Sequence, residues 1–151
     1  MTKKLSVVAL FAIVVMVGVP LHACRRQTTG KGASSGASAI AWESDFSVAL
    51  SRASHEKKVL MVDFYTDWCG WCKRLDQTTL SDPRVQRTLH QLVSIKLNAD
   101  KEGRAAAQRY RVEGYPTIVF VDGSGSEVGR IPGYMDAGPF LAELEDILRK
   151  G

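Results

Sequence analysis

The segment VDFYTDWCGWCK, residues 62–73, decides the fold. It completes a nearly continuous apolar run that begins at Val59 and is rich in strand-forming residues, which is typical of a strand buried on both faces. Two cysteines, Cys69 and Cys72, follow this run directly. The segment therefore predicts a buried strand that leads into the first turn of a helix, with both cysteines at that junction.

The spacing of Cys69 and Cys72 suits reversible disulfide chemistry. In a first helical turn, positions i and i+3 share one face, so two sulfurs can form a bond of about 2.05 Å or open to a dithiol with little backbone movement. The unpaired N–H groups and the dipole at the helix start favour the reactive thiolate. We expect Cys69, nearer the helix start and more exposed, to be the nucleophile, and Cys72 to be the resolving thiol.

The cysteine pair alone is also compatible with a zinc site, a permanent disulfide or a copper site. A structural zinc site usually needs four Cys or His ligands, and no second paired spacing exists among the remaining candidates, Cys24, His22, His55 and His90. A permanent structural disulfide would close a very small loop, where stabilisation is least. A dithiol could also carry Cu(I), because soft thiolates suit that ion. A haem site of the Cys-x-x-Cys-His type is excluded because Lys73 follows Cys72. We predict no resident metal or cofactor.

The first 23 residues are typical of an export signal. Lys3 and Lys4 precede an apolar run at residues 5–19, which Pro20 ends. The run is shorter than the roughly 20 residues that a membrane span needs. Because Leu-x-Ala-Cys resembles the bacterial lipoprotein box, we predict a lipoprotein-type signal peptide at residues 1–23 and lipidation of Cys24 as the first mature residue. The alternatives are a retained membrane helix and cleavage that leaves Cys24 a free thiol.

Composition separates a tether from a domain. Residues 24–39 are mostly small and polar, so we predict a flexible linker there and one domain at residues 40–151. The whole chain has 20 basic and 16 acidic residues and a net charge of +4. Five of the basic residues precede the domain, namely Lys3, Lys4, Arg25, Arg26 and Lys31. The domain therefore has 15 basic and 16 acidic residues. The domain thus offers no basic patch that would favour nucleic acid.

The domain sequence alternates between helical and strand patterns. The first predicted elements are a helix capped by Ser44 and ending near Lys57-Lys58, a strand at 59–65, a helix from Cys69 and a short helix opened by Asp82-Pro83. They are followed by a strand at 92–97, a helix at 104–110, a hairpin of strands at 117–121 and 127–131, and a last helix capped by Asp136. This alternation predicts an α/β fold with a mixed central β-sheet flanked by helices on both faces.

The chain resembles the thioredoxin family over about residues 40–150. Residues 62–73 resemble the active-site strand and helix of that family, and Gly114-Tyr115-Pro116-Thr117 resembles its cis-proline loop. Residues 95–100 and Gly133 match two more family positions in the same order. The resemblance implies the thioredoxin-like fold and thiol–disulfide exchange with protein partners.

The resemblance also implies roles for two charged residues. Asp63 is similar to the buried acid that accepts and returns the proton of Cys72, and burial raises the pKa of a carboxyl group toward neutrality. Lys96 is similar to the lysine that pairs with this acid and tunes it. The residues alone leave open that Asp63 is a surface acid at a strand edge and that Lys96 is an ordinary surface lysine.

The remaining site residues implied by the resemblance bind the partner. Pro116 would be cis and would turn the backbone of Tyr115 outward, where it can pair with an extended segment as an added strand. Trp68 would shield the thiols and form part of a docking surface, or simply pack in the core. The full set of predicted partner-binding residues is Trp68, Gly70, Trp71, Tyr115, Pro116 and Gly133.

One departure from the family concerns the redox direction. Trp71 stands where thioredoxin has proline between its cysteines, and the residues between the cysteines influence the reduction potential. The chain is more similar to exported thioredoxin-like domains related to the C-terminal domain of the membrane disulfide reductase. We therefore predict a lipid-anchored, periplasm-facing, monomeric reductant of protein disulfides, supplied by a membrane electron donor. The alternative is a non-catalytic binding module or a Cu(I)-handling dithiol protein.

Overall fold

The computed structural model describes residues 39–150. The predicted signal peptide, Cys24 and most of the predicted linker therefore lie outside the described residues. Within residues 39–150, no helix is both long enough and apolar enough to cross a bilayer. The elements in chain order are β1 (Trp42–Glu43), α1 (Phe46–Glu56), β2 (Leu60–Tyr65), α2 (Gly70–Thr78), α3 (Pro83–Leu89), β3 (Val93–Asn98), α4 (Arg104–Arg109), β4 (Thr117–Val121), β5 (Glu127–Pro132) and α5 (Ala137–Lys150).

The five strands form one mixed sheet in the order β1-β3-β2-β4-β5. Strands β1 and β2 are both parallel to β3, whereas β4 is antiparallel to β2 and to β5. The α/β fold with a mixed central sheet is thus confirmed. Strand β1 was not predicted, because two residues are too few to show a periodic pattern.

Two hydrophobic clusters lie on opposite faces of the sheet. On one face, Leu60, Val62 and Phe64 of β2 pack with the small residues of α1 and α4. On the other face, Met61 packs with the apolar residues of α2, α3 and α5, among them Phe140. Successive strand residues point to opposite faces, so each residue of β2 belongs to one layer only. The helices cover both faces as predicted, and Asp63 shares the face of Met61, beneath α2.

The caps of the first helices follow side-chain chemistry. Asp45 caps α1, since its Oδ1 accepts the backbone N–H of Val48 at 3.0 Å. The prediction that Ser44 is this cap was wrong by one residue, because the carboxylate of Asp45 reaches the free N–H groups of the first turn. Asp82 caps α3 by accepting the N–H of Arg84 at 2.8 Å, as the Asp82-Pro83 pair predicts.

Candidate active site

Cys69 and Cys72 form a disulfide at the start of α2, with their Cα atoms 5.3 Å apart. Cys69 is also the N-cap of this helix, because its Sγ accepts the backbone N–H of Cys72 at 3.0 Å. The two cysteines are 4% and 3% exposed. In this oxidised state the two residues are almost equally buried, so the predicted greater exposure of Cys69 does not distinguish them. What distinguishes the two cysteines is their position relative to the helix start.

A hydrogen-bonded loop holds the residues just before Cys69. The indole Nε1 of Trp68 donates to Asp100 Oδ2 at 2.9 Å, although the side chain is 71% exposed. One residue earlier, Asp67 Oδ1 accepts from Asn98 Nδ2 at 2.9 Å. These bonds tie the loop to the end of β3, and Trp68 lies over the surface rather than in the core.

Asp63 lies in the middle of β2 and is 1% exposed. Burial raises the pKa of its carboxyl group from 3.8 to about 6, while the charge of Lys96 opposes that rise. Neither carboxylate oxygen accepts a well-aligned hydrogen bond from the described residues. The interpretation of Asp63 as a surface acid is therefore excluded, and the site contains a buried carboxyl group that titrates close to neutral pH.

Lys96 joins Asp63 to a second carboxylate. Its Nζ lies 3.1 Å from Asp63 Oδ2 as an ion pair and donates a hydrogen bond to Asp76 Oδ1. Burial lowers the pKa of Lys96, but the two carboxylates raise it more, and the net shift is upward. The ammonium also lies 5.2 Å from the ring centroid of Tyr65. Lys96 is thus a charged member of the site and not an ordinary surface lysine.

The carboxylate cluster, defined as Asp63, Lys96 and Asp76, joins strand β2 to the helix that carries Cys72. Cys72 and Asp76 are four residues apart on α2 and therefore share one face of that helix. Lys96 links this face to Asp63 in the strand below. Lys96 thus connects Asp63 to the face of α2 that carries both Asp76 and, one turn earlier, Cys72.

We expect that replacing Lys96 with methionine raises the pKa of Asp63 above about 6, because the charge that stabilises the carboxylate is lost. The measurement is a carboxyl ¹³C NMR titration of the oxidised protein. Lys101→Met is the matched control, since Lys101 pairs with the exposed Asp67 instead. An unchanged pKa of Asp63 in Lys96→Met would contradict the coupling of these two residues.

The loop before β4 faces the loop after β5. The Tyr115–Pro116 peptide bond is cis, and Pro116 is buried. The N–H of Gly133 donates to the carbonyl of Pro116 at 2.8 Å, and Gly133 has a φ of 77°, which favours glycine. Tyr115 and Gly133 line two adjoining clefts of about 500 and 370 Å³.

Aromatic rings surround these clefts. Trp68 meets Tyr115 edge to face at 6.0 Å between ring centroids, and Trp71 lies 5.3 Å from Tyr134. Trp71 is 54% exposed, and a side chain on Gly70 would meet no atom within 4 Å. Of the predicted partner-binding residues, Trp68, Gly70 and Trp71 are exposed, Tyr115 and Gly133 are partly exposed, and Pro116 is buried behind Tyr115 in the same loop.

Sequence reasoning missed three members of this region. They are Asp76, Arg74 and Tyr134. A spacing of four residues from Cys72 could have indicated Asp76, but no local pattern connects Arg74 with Tyr134, which are 60 positions apart in the chain. Among residues 39–150, no cluster of three or more His, Cys, Asp or Glu side chains is arranged to hold a metal ion.

Comparison with known proteins agrees with this geometry. A family model described as "Thioredoxin-like domain" matches residues 46–148. "Thiol:disulfide interchange protein DsbD" of Salmonella paratyphi A is 39% identical over 113 residues, which are 72% of this chain and 20% of that protein. The protein of the same name from Escherichia coli K12 is 42% identical over 94 residues, which are 59% and 17% of the two chains. The chain thus spans about a fifth of the length of these relatives.

Solved structures give the same result. A thioredoxin from Thermus thermophilus is 36% identical, with a TM-score of 0.68 over 76% of this chain and 91% of that one. The oxidised C-terminal domain of DsbD from Neisseria meningitidis is 26% identical, with a TM-score of 0.57 over 70% and 98% of the two chains. Because the family model covers most of the described residues, and a Cys-x-x-Cys disulfide stands at the start of α2, this chain belongs to the thioredoxin-like family.

Proposed function

We propose that this chain is an exported reductant of protein disulfides, which faces the periplasm and is held at the membrane by a lipid on Cys24. The signal-like residues 1–23 and the lipoprotein-like box before Cys24 support export and anchoring. The relatives named thiol:disulfide interchange protein support exchange with other proteins. The observation that carries the reducing direction in this proposal is the carboxylate cluster, whose Asp76 lies on the same helix as Cys72.

The charge of this cluster favours the reducing direction. Above about pH 6 the two carboxylates exceed the single ammonium of Lys96 by one negative charge. A negative charge near the cysteines disfavours a thiolate and therefore opposes stabilisation of the reduced form. Dithiol proteins that are strong oxidants owe their high reduction potential to a stabilised reduced form. A site that withholds that stabilisation gives up its electrons more readily and acts as a reductant.

The reaction proceeds in two exchange steps. The thiolate of Cys69 attacks one sulfur of the partner disulfide, so that a mixed disulfide forms and the first partner thiolate leaves and takes a proton from water. Asp63 then accepts the proton of Cys72, and the Cys72 thiolate attacks Cys69 Sγ. The Cys69–Cys72 bond forms, the second partner thiolate leaves, and Asp63 returns the proton to it. Two electrons pass to the partner, and the dithiol of a membrane electron donor restores the reduced pair.

The clefts beside the disulfide suit an extended partner segment. Tyr115 and Gly133 line both clefts, and the larger cleft runs along the exposed ends of β4 and β5. The backbone of Tyr115 offers a position where a segment can add as a strand, while the rings of Trp68 and Trp71 flank it. The chain performs this exchange as a monomer.

We expect the Cys69–Cys72 couple to have a reduction potential below about −200 mV, more reducing than protein disulfide isomerase at about −180 mV. The measurement equilibrates the protein with glutathione redox buffers and quantifies both forms after acid quenching. The reason is the excess negative charge near the thiols. A potential close to the value of about −120 mV that is typical of a strong oxidant would contradict the reductant role.

A further inference from the structure

Arg74 lies against two aromatic rings on the surface next to the disulfide. Its guanidinium carbon is 5.3 Å from the ring centroid of Trp71 and 5.0 Å from that of Tyr134. The two rings are tilted by 38° relative to each other. Cation–π contacts of this kind hold a planar guanidinium in a fixed orientation. We call Trp71, Arg74 and Tyr134 the aromatic platform.

Contacts with two aromatic rings explain where the Arg74 side chain lies, but no described group neutralises its charge. Among residues 39–150, its guanidinium forms no ion pair and donates no hydrogen bond to the described atoms, although Arg52, Arg84, Arg130 and Arg149 all pair with carboxylates there. The guanidinium lies over the faces of both rings on an exposed residue, and its N–H groups are left without a described acceptor. Those groups match the two oxygens of a carboxylate. Arg74 is thus an exposed cation that no described carboxylate neutralises.

The surroundings of the platform hold Tyr134 in place. Its hydroxyl contacts Thr78 Oγ1 at 3.2 Å and donates to Asp136. Thr78 in turn donates to the carbonyl of Arg74 at 2.8 Å. The Tyr134 ring beside the guanidinium is therefore held by hydrogen bonds from α2 and from the residue just before α5.

The platform borders the cleft in which the proposed partner segment lies. Trp71 and Tyr134 line the cleft of about 370 Å³ together with Tyr115 and Gly133. We propose that Arg74 binds the carboxylate of an Asp or Glu side chain near the redox cysteine of the partner, so that this oxidoreductase prefers acidic partner segments. This inference rests on the proposed function and adds a class of substrate to it.

The test compares matched disulfide peptides. Each peptide carries one Glu at a chosen position, two to four residues before or after its cysteine, and its twin carries Gln there. The rate of reduction is measured with the full chain after reduction of its cysteines, and each Glu/Gln rate ratio is divided by the ratio obtained with dithiothreitol. This division removes the effect of the acid on the intrinsic reactivity of the peptide disulfide.

We expect the corrected ratio to reach about fivefold in favour of Glu at the best position, the magnitude of one favourable exposed charge contact. In Arg74→Gln the ratio should fall to about one. Lys73→Gln is the matched control, because Lys73 is the adjacent exposed cation on α2 and makes no aromatic contact. It loses the same charge and should keep most of the preference.

The failures of the inference and of the proposed function are distinguishable. A corrected Glu/Gln rate ratio near one for the unmodified chain would overturn the inference, and so would an equal loss of the Glu preference in Arg74→Gln and Lys73→Gln. In both cases the peptides would still be reduced, so the proposed function would stand. Absence of reduction of any peptide would instead overturn the proposed function, and the inference with it. A ratio that survives in Arg74→Gln would overturn the inference by showing that another cation recognises the acid.

Discussion

The Cys72→Ala variant is expected to accumulate a covalent complex with its partner through Cys69, because the thiol that resolves the mixed disulfide is missing. In the native chain this attack is intramolecular, and well-oriented groups act at effective molarities of about 10⁵ M or more. An external thiol at millimolar concentration cannot replace it. We expect turnover to fall by at least about 10³-fold. Non-reducing electrophoresis and mass spectrometry of the trapped species measure this result.

Two controls make this experiment decisive. Cys69→Ala should lose turnover without trapping any partner, since we propose that Cys69 at the N-cap, and not Cys72 inside α2, is the attacking thiol. Cys24→Ala should trap nothing and should keep the exchange activity. If Cys72→Ala retained full biological activity, the chain would be a binding module; if Cys69→Ala trapped the partner instead, the two roles would be reversed.

Asp63→Asn is expected to stabilise the fold at alkaline pH. The pKa of Asp63 rises from 3.8 to about 6 on folding, so the native state binds more protons than the unfolded state between these values. The stabilisation from the protonated carboxyl is complete below about pH 4 and is lost as the pH rises through 6. Asparagine avoids that loss but leaves Lys96 with fewer charged partners. We therefore expect the free energy of unfolding to increase by about 1–3 kcal/mol at pH 8.

The same variant should slow the second exchange step. Without the proton acceptor, Cys72 must lose its proton to solvent, and a positioned general base is worth about 10²-fold or more. Rapid acid quenching at pH 7 should therefore find a longer-lived mixed disulfide in Asp63→Asn. Asp67→Asn is the matched control, because Asp67 is an exposed acid close to Cys69. Equal effects of the two variants, or a stability gain that persists at pH 3, would contradict the role of Asp63.

Much of the domain could be predicted because its signals are local. The apolar run at 59–65, the alternation of helical and strand patterns and the paired cysteines each occupy a short window of sequence. Asp63 and Lys96 face each other because β2 and β3 pair in parallel with Asp63 opposite Lys96. The resemblance to thioredoxins supplied this pairing, which no pattern within either strand contains.

The remaining features depend on contacts between distant segments. Strand β1 exists because Trp42 and Glu43 pair with β3, and no two-residue pattern could have predicted it. Arg74 is recognisable only after α2 and the loop after β5 come together and place Tyr134 beside it. The raised pKa of Asp63 also depends on packing, because it reflects how completely the surrounding elements exclude water from the carboxyl group.

Cys69 Sγ accepts a hydrogen bond from the Cys72 N–H, so the same sulfur caps α2 and belongs to the disulfide. We expect that, when the disulfide opens, the same N–H points at the thiolate that forms on Cys69 and stabilises its charge. The helix therefore keeps an acceptor at its first turn whether the pair is oxidised or reduced. We therefore expect that the backbone moves little when the pair changes its redox state, and that a partner meets nearly the same surface before and after the exchange.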